Sequence, residues 1–331
     1  MLYPIYFLYF FIGHILKGIF RLSGTRNYGV SYLKSLETSF QGSFDITLFN
    51  KVAKFQSIQL HLVNEVFVGL FNRSISKKEK ELNVKYFLMT ALYDDLIDRQ
   101  LMDTQTLNDL FYHPEKAKPT SFNEKVLVKL HLDLLNQVPD NKTYWETIEQ
   151  IHKAQKDSAQ QFDPQITFDK ILAITKRKGG FSLLMCRHYL KDPIHKEIDD
   201  CWYSFGGLIQ MTNDLYDTYK DTQEGISTFA NRQTKIEIIK ETYQNQKSEF
   251  LESIQKMPVS QFKKIQFCIR TSLIASFGDI AIQQLSQLKD HLGQLPDLRQ
   301  VPRQQLIIDM EKPLNIGRLF KYAYQNGKLW K

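Results

Sequence analysis

Cysteine is nearly absent from this chain. Its three cysteines, Cys186, Cys201 and Cys268, form no CxxC pair and no metal-ligand spacing. That excludes a disulfide scaffold and a structural zinc site, and reads as a reduced, cytoplasmic chain. Glycine and proline are also scarce, 15 and 10 in 331 residues, too few for a protein of many strands and tight turns. There is no fixed-period repeat, no low-complexity tract, no G-x-S-x-G, no Walker-type loop, no G-x-G-x-x-G and no H-E-x-x-H, so the nucleotide and hydrolase chemistry those motifs carry is not expected. The charge excess is mild, 43 Lys+Arg against 36 Asp+Glu. It is spread along the chain with no dense basic stripe, which disfavours nucleic acid as a partner. It suits phosphate-bearing ligands or an anionic membrane surface.

What is present is apolar and helical. Apolar residues make up 43% and charged residues 24%, the globular range. Residues Met1–Leu16 carry no formal charge, with Lys17 and Arg21 following. The run is short for a bilayer-spanning helix and lacks the basic start and small-residue cleavage site of a signal peptide. Three readings remain for residues 1–25: a helix packed on the domain, an anchor at the inner membrane surface, or a span of the bilayer. Residues 26–331 read as one helical domain. Apolar residues recur three and four apart over about Asp45–Phe71, Lys77–Leu101, Ser121–Gln137, Lys142–Gln161, Phe168–Leu190, His195–Asp221, Thr234–Lys256, Ser260–Leu292 and Pro302–Gln325. Turn chemistry separates them, as at Pro139-Asp140-Asn141 and Asp192-Pro193. No strand–helix alternation is visible, so the expected fold is a single all-α bundle of about ten helices with short connections.

Two acidic clusters end apolar helices. In the first, Asp94 and Asp98 stand four apart on one helix face, with Asp95 about 100° round. In the second, Asn213, Asp217 and Asp221 stand at i, i+4 and i+8, with Asp214 beside them and the Gly206-Gly207 pair two turns before. Two like charges ~4 Å apart repel by roughly 1 kcal/mol in water and about 4 at an effective dielectric of 20. A hard cation removes that cost, and Mg²⁺ prefers one or two carboxylates plus substrate phosphates. The plain alternative is a pair of solvated helix ends. Facing each other across a bundle, the clusters would hold several Mg²⁺ ions at a cavity mouth.

These stretches resemble the signature of the class I isoprenoid synthases, the superfamily of trans-prenyl diphosphate synthases, squalene and phytoene synthases and class I terpene cyclases. Asp94-Asp95-Leu96-Ile97-Asp98 is similar to its DDxxD motif. Gln210, Thr212-Asn213, Asp217, Asp221 and Gly225 are similar to the squalene/phytoene pattern QxTNxxxDxxxDxxxG, and resemble the NDxxSxxxE form of cyclases. The VAGxVG stretch of squalene/phytoene synthases has no counterpart. In its place Thr175-Lys176-Arg177-Lys178-Gly179-Gly180-Phe181 resembles the Lys-containing motif of trans-prenyltransferases.

The resemblance implies a helical bundle around a central apolar cavity and Mg²⁺-dependent ionisation of an allylic prenyl diphosphate, in its preferred form head-to-head coupling of two prenyl chains. Cyclisation, head-to-tail elongation and non-catalytic isoprenoid binding are its alternatives. It implies Asp94, Asp98, Asp217 and Asp221 as catalytic metal ligands, joined in the metal shell by Asp95, Asn213 and Asp214. Arg177, Lys178, Arg99 and Lys220 become diphosphate-binding candidates. Phe87, Met89, Thr90, Tyr93, Phe181, Phe205, Ile209, Gln210 and Tyr216 become cavity-lining candidates, the aromatic faces shielding and stabilising a carbocation. For each aromatic, plain core packing is the competing reading.

Overall fold

A computed structural model describes residues 3–98, 104–138 and 142–328. It is all-α. Among the described residues there is no strand, and one isolated bridge joins Lys235 to Gln294. In chain order the helices are α1 (Tyr3–Phe7), α2 (Gly13–Phe40), α3 (Ile46–Gln59), α4 (Glu65–Val68), α5 (Lys77–Asp98), α6 (Thr104–Tyr112), α7 (Phe122–Leu135), α8 (Lys142–Ser158), α9 (Phe168–Arg187), α10 (Lys196–Tyr216), α11 (Thr218–Glu224), α12 (Ile236–Lys256), α13 (Gln261–Ser286), α14 (Arg303–Leu306) and α15 (Pro313–Asn326). A π-turn, Leu8–Ile12, joins α1 to α2 without a break, so helical backbone runs from Tyr3 to Phe40, through the expected boundary at residue 25.

The chain divides into two compact units. One holds residues 12–144 and 188–192. Here α2 packs on α3, and α5 on α7, around Leu33, Val52, Leu88, Leu92, Leu127 and Leu130. Local chemistry sets the helix starts. Asp45 accepts from the Thr47 and Leu48 amides at 2.8 and 3.3 Å, and Ser121 with Glu124 forms a capping box. Glu79 is 1% exposed yet fully engaged: it takes an ion pair from Arg73 at 2.8 Å and the amides of Ser76 and Lys191, both at 2.8 Å. Although burial opposes it, this partnership holds the Glu79 carboxyl down at about 2.

The second unit holds residues 3–11, 145–187 and 193–328. Helix α10 is its centre, flanked by α9, α12 and α13. Trp202, Phe205, Leu208 and Met211 bury its apolar stripe. Phe205 stacks on Phe250 of α12 with ring centroids 4.7 Å apart. The fully buried Tyr243 hydroxyl shares a 2.9 Å hydrogen bond with Thr212 and donates to the Ala275 carbonyl at 3.2 Å, so no polar atom is stranded there.

Candidate functional site

Helices α9 and α10 cross backbone to backbone. A Cβ on Gly179 would lie 2.3 Å from the Gly206 carbonyl oxygen, and a Cβ on Gly206 would lie 2.3 Å from that of Gly179. Only glycine permits this approach. It draws the Thr175–Lys178 turn of α9 alongside the last turns of α10, so Thr175 Oγ1 donates to Asp214 at 3.1 Å. Gln210, one turn before Asp214 on α10, donates to its other oxygen at 2.9 Å.

The stripe expected through Asn213, Asp217 and Asp221 does not run along one helix. Helix α10 ends at Tyr216, and Asp217 sits between helices at φ −88°, ψ 5°. Thr218 then donates its hydroxyl to the Leu215 and Asp214 carbonyls at 2.8 and 3.2 Å, satisfying the ending helix while α11 begins. The result separates the four residues by exposure. Asn213 and Asp217 face solvent, whereas Asp214 and Asp221 are buried.

Burial sets their chemistry. It pushes the Asp214 carboxyl up to about 6, with the Asp217 charge adding to the rise. The Gln210 and Thr175 hydrogen bonds and the Lys178 charge oppose it. Asp221 is pushed further, to about 8, by burial and then by the charges of Asp214 and Asp217. Its carboxylate has no hydrogen-bond or ion-pair partner among the described residues, and Lys220 acts on it only as a nearby charge. This is a crowded acidic pocket with too little positive charge, built of hard oxygen donors. Among the described residues no three His, Cys, Asp or Glu side chains form a preassembled metal-holding group. A magnesium ion completed by substrate phosphates needs only one or two carboxylates, so the donor set fits that ion.

The basic candidates divide. Lys178 is half-buried, forms no ion pair among the described residues and acts on the Asp214 charge. Arg177 is engaged by Asp157 at 3.1 Å and by the Gln150 side-chain oxygen at 3.2 Å. Lys176 pairs with Glu249 at 2.7 Å. Lys220 is exposed and 3.8 Å from Glu224. Arg99 lies outside the described residues.

The first motif belongs to the other unit. Asp94 and Asp95 are half-exposed near the end of α5, and the Asp98 side chain lies outside the described atoms. Of the aromatic and apolar candidates there, Met89 is buried, while Phe87 and Thr90 are half-exposed, with Thr90 donating to the Phe87 carbonyl at 2.9 Å. Tyr93 is core: its hydroxyl donates to the Leu110 carbonyl at 2.9 Å and its ring meets Phe111 edge-on. Near the second motif, Phe181 packs on Tyr203, Phe205 is committed to Phe250, and Ile209 is half-exposed. The Tyr216 ring meets Phe277 edge-on and its buried hydroxyl has no hydrogen-bond partner among the described residues.

Sequence reasoning assigned no role to Thr175, the residue that fastens α9 to Asp214. The available signal was its place one turn before Lys178 and Gly179 in a predicted helix. No protein-family model, no curated protein and no solved structure matches this chain. The likeness to class I isoprenoid synthases rests on the residues of its motifs.

Proposed function

We propose that this chain is a Mg²⁺-dependent isoprenoid synthase that ionises an allylic prenyl diphosphate and releases diphosphate, with head-to-head coupling of two prenyl chains as the preferred reaction. The observation that carries the reading is Asp221: a buried carboxylate without a partner among the described residues, beside Asp214 and Asp217. Such a group gains from a cation more than from any neighbour in its surroundings. Asp221, with Asp217 and Asn213 at the exposed side, would hold the ion. Bound Mg²⁺ supplies electrostatic stabilisation of the charge that gathers on the departing diphosphate. Asp214, fixed by Thr175 and Gln210, keeps the acidic turn in register. Lys178, the unpaired cation of its run, adds positive charge for a phosphate oxygen. Asp94, Asp95 and Asp98 enter the proposal through their motif alone.

The test is turnover. Purified protein is incubated with Mg²⁺ and geranyl, farnesyl or geranylgeranyl diphosphate, with and without isopentenyl diphosphate. Diphosphate release with a coupled hydrocarbon supports the preferred reaction, a cyclic product from one substrate selects cyclisation, and a longer diphosphate selects elongation. Asp217→Asn should lower turnover by roughly a hundredfold or more. Absence of turnover with every substrate overturns the enzyme reading and leaves isoprenoid binding without chemistry.

A further inference from the structure

In the unit that contains residues 3–11, the N-terminal helical turns pack between α13 and α15. Tyr3 donates its hydroxyl to the Tyr324 carbonyl at 2.8 Å, Phe11 meets Phe320 with centroids 5.6 Å apart, and Phe10 meets Phe262 at 5.5 Å. Phe7, Phe10 and Phe11 are buried by this packing, so one side of the segment is held against protein. The other side is open and greasy: Ile5 is 63% exposed and Tyr9 73%, and Phe262 and Phe320 are exposed beside them.

The charges around this face have one sign. Within this unit, residues 3–11, 253–278 and 312–328 contain no Asp or Glu and eight Lys or Arg, and the next acid along α13, Asp279, is paired with Lys247 at 2.7 Å. All 36 acids lie outside these three segments. Two cations already lie over rings of the face: Arg270 is 5.9 Å from the Phe10 centroid, and Lys328 is 4.7 Å from that of Tyr324. Exposed apolar groups ringed by cations without acids limit the choice of partner. A second copy of the same face would set cations against cations. A neutral surface would leave the charge unanswered. An anionic bilayer answers both demands, since apolar side chains enter the headgroup–acyl boundary while Lys and Arg reach lipid phosphates.

We propose that this face of α1, α13 and α15 docks the protein on an anionic phospholipid bilayer, lying on the surface rather than spanning it. The helical segment Tyr3–Phe40 is long and apolar enough to cross a membrane. Phe7, Phe10 and Phe11 at its start are nevertheless buried against α13 and α15 of their own unit, contacts that a span would give up. The inference does not depend on the catalytic reading.

The test is vesicle flotation with the full chain, using phosphatidylcholine alone and phosphatidylcholine with about one-third phosphatidylglycerol, at low salt and at about 0.5 M salt, where charge interactions are screened. The expected result is co-flotation with the anionic vesicles, released by salt, and little with the neutral ones. Lys321→Glu should lower the partition coefficient roughly tenfold or more, since each cation near an anionic surface contributes about fivefold. Tyr9→Glu should lower it as well. Both residues are exposed, and an unchanged melting temperature confirms that each variant is folded. Four outcomes overturn the proposal: no flotation with anionic vesicles, equal flotation with neutral ones, retention at high salt as for an inserted span, or self-association abolished by Tyr9→Glu without vesicle binding.

Discussion

His131 is 1% exposed, with its Nδ1 3.1 Å from the Leu110 carbonyl and, among the described residues, no hydrogen-bond partner at Nε2. Burial drives its pKa down to about 4. The folded state therefore holds fewer protons than the unfolded chain between pH 6.5 and 4, so the stability is complete above pH 6.5 and is lost as pH falls through that window. The loss amounts to roughly 3 kcal/mol. Denaturant unfolding at pH 7 and pH 4.5 should show this slope in the native protein and a shallower one in His131→Phe. Asp221 predicts an effect of the opposite kind. Its carboxylate is buried and crowded by like charges, so Asp221→Asn should stabilise the metal-free protein by about 1 kcal/mol or more while abolishing turnover. A variant that unfolds more easily without divalent ions would show the carboxylate to be structural. Asp221 was legible as a motif residue. Its burial was not, because the sequence register assumed one continuous helix and the chain turns at Asp217.

Among the elements, the α9–α10 crossing is the tightest constraint. Gly206→Ala would drive a methyl into the Gly179 carbonyl, backbone that no rotamer change can move, and should cost roughly 3 kcal/mol. Gly24→Ala, on α2 with nothing within 4 Å of the added carbon, should instead gain about 0.5–1 kcal/mol. Thermal unfolding of the pair checks both signs. The sequence showed most long helices through their apolar spacing, α5, α9, α10 and α12 among them. It read Pro302–Gln325 as one stretch, whereas the helix begins at Pro313. That ring pushes Lys312 out of the helical region, to φ −64°, ψ 128°. The weakest reading was α2. Its glycines and sparse charge dilute the periodicity, and its helix is fixed by packing on α3, with Leu33 and Leu36 buried and Gln56 of α3 donating to the Thr25 carbonyl at 2.9 Å.

For the whole molecule, the proposed ion site predicts linkage between ligand and stability. Mg²⁺ with inorganic diphosphate should raise the melting temperature by a few degrees, by mass action on the folded state, and either one alone should do less. Asp217→Asn should remove the effect, and a rise that survives this substitution would place the ions elsewhere. The all-α architecture was open to sequence reading because periodicity is local. The face that carries the eight cations was hidden from it because its three segments are brought together only by folding. Tyr3 and the carbonyl it grips on Tyr324 stand 321 residues apart, so this turn leaves the ribosome long before the helix that covers it. At about 5–20 residues per second, Phe7 and Phe11 wait roughly 15 to 60 s for α15 to arrive. During synthesis these rings are an open invitation to chaperones, and a chain truncated before α15 would carry them uncapped for its lifetime.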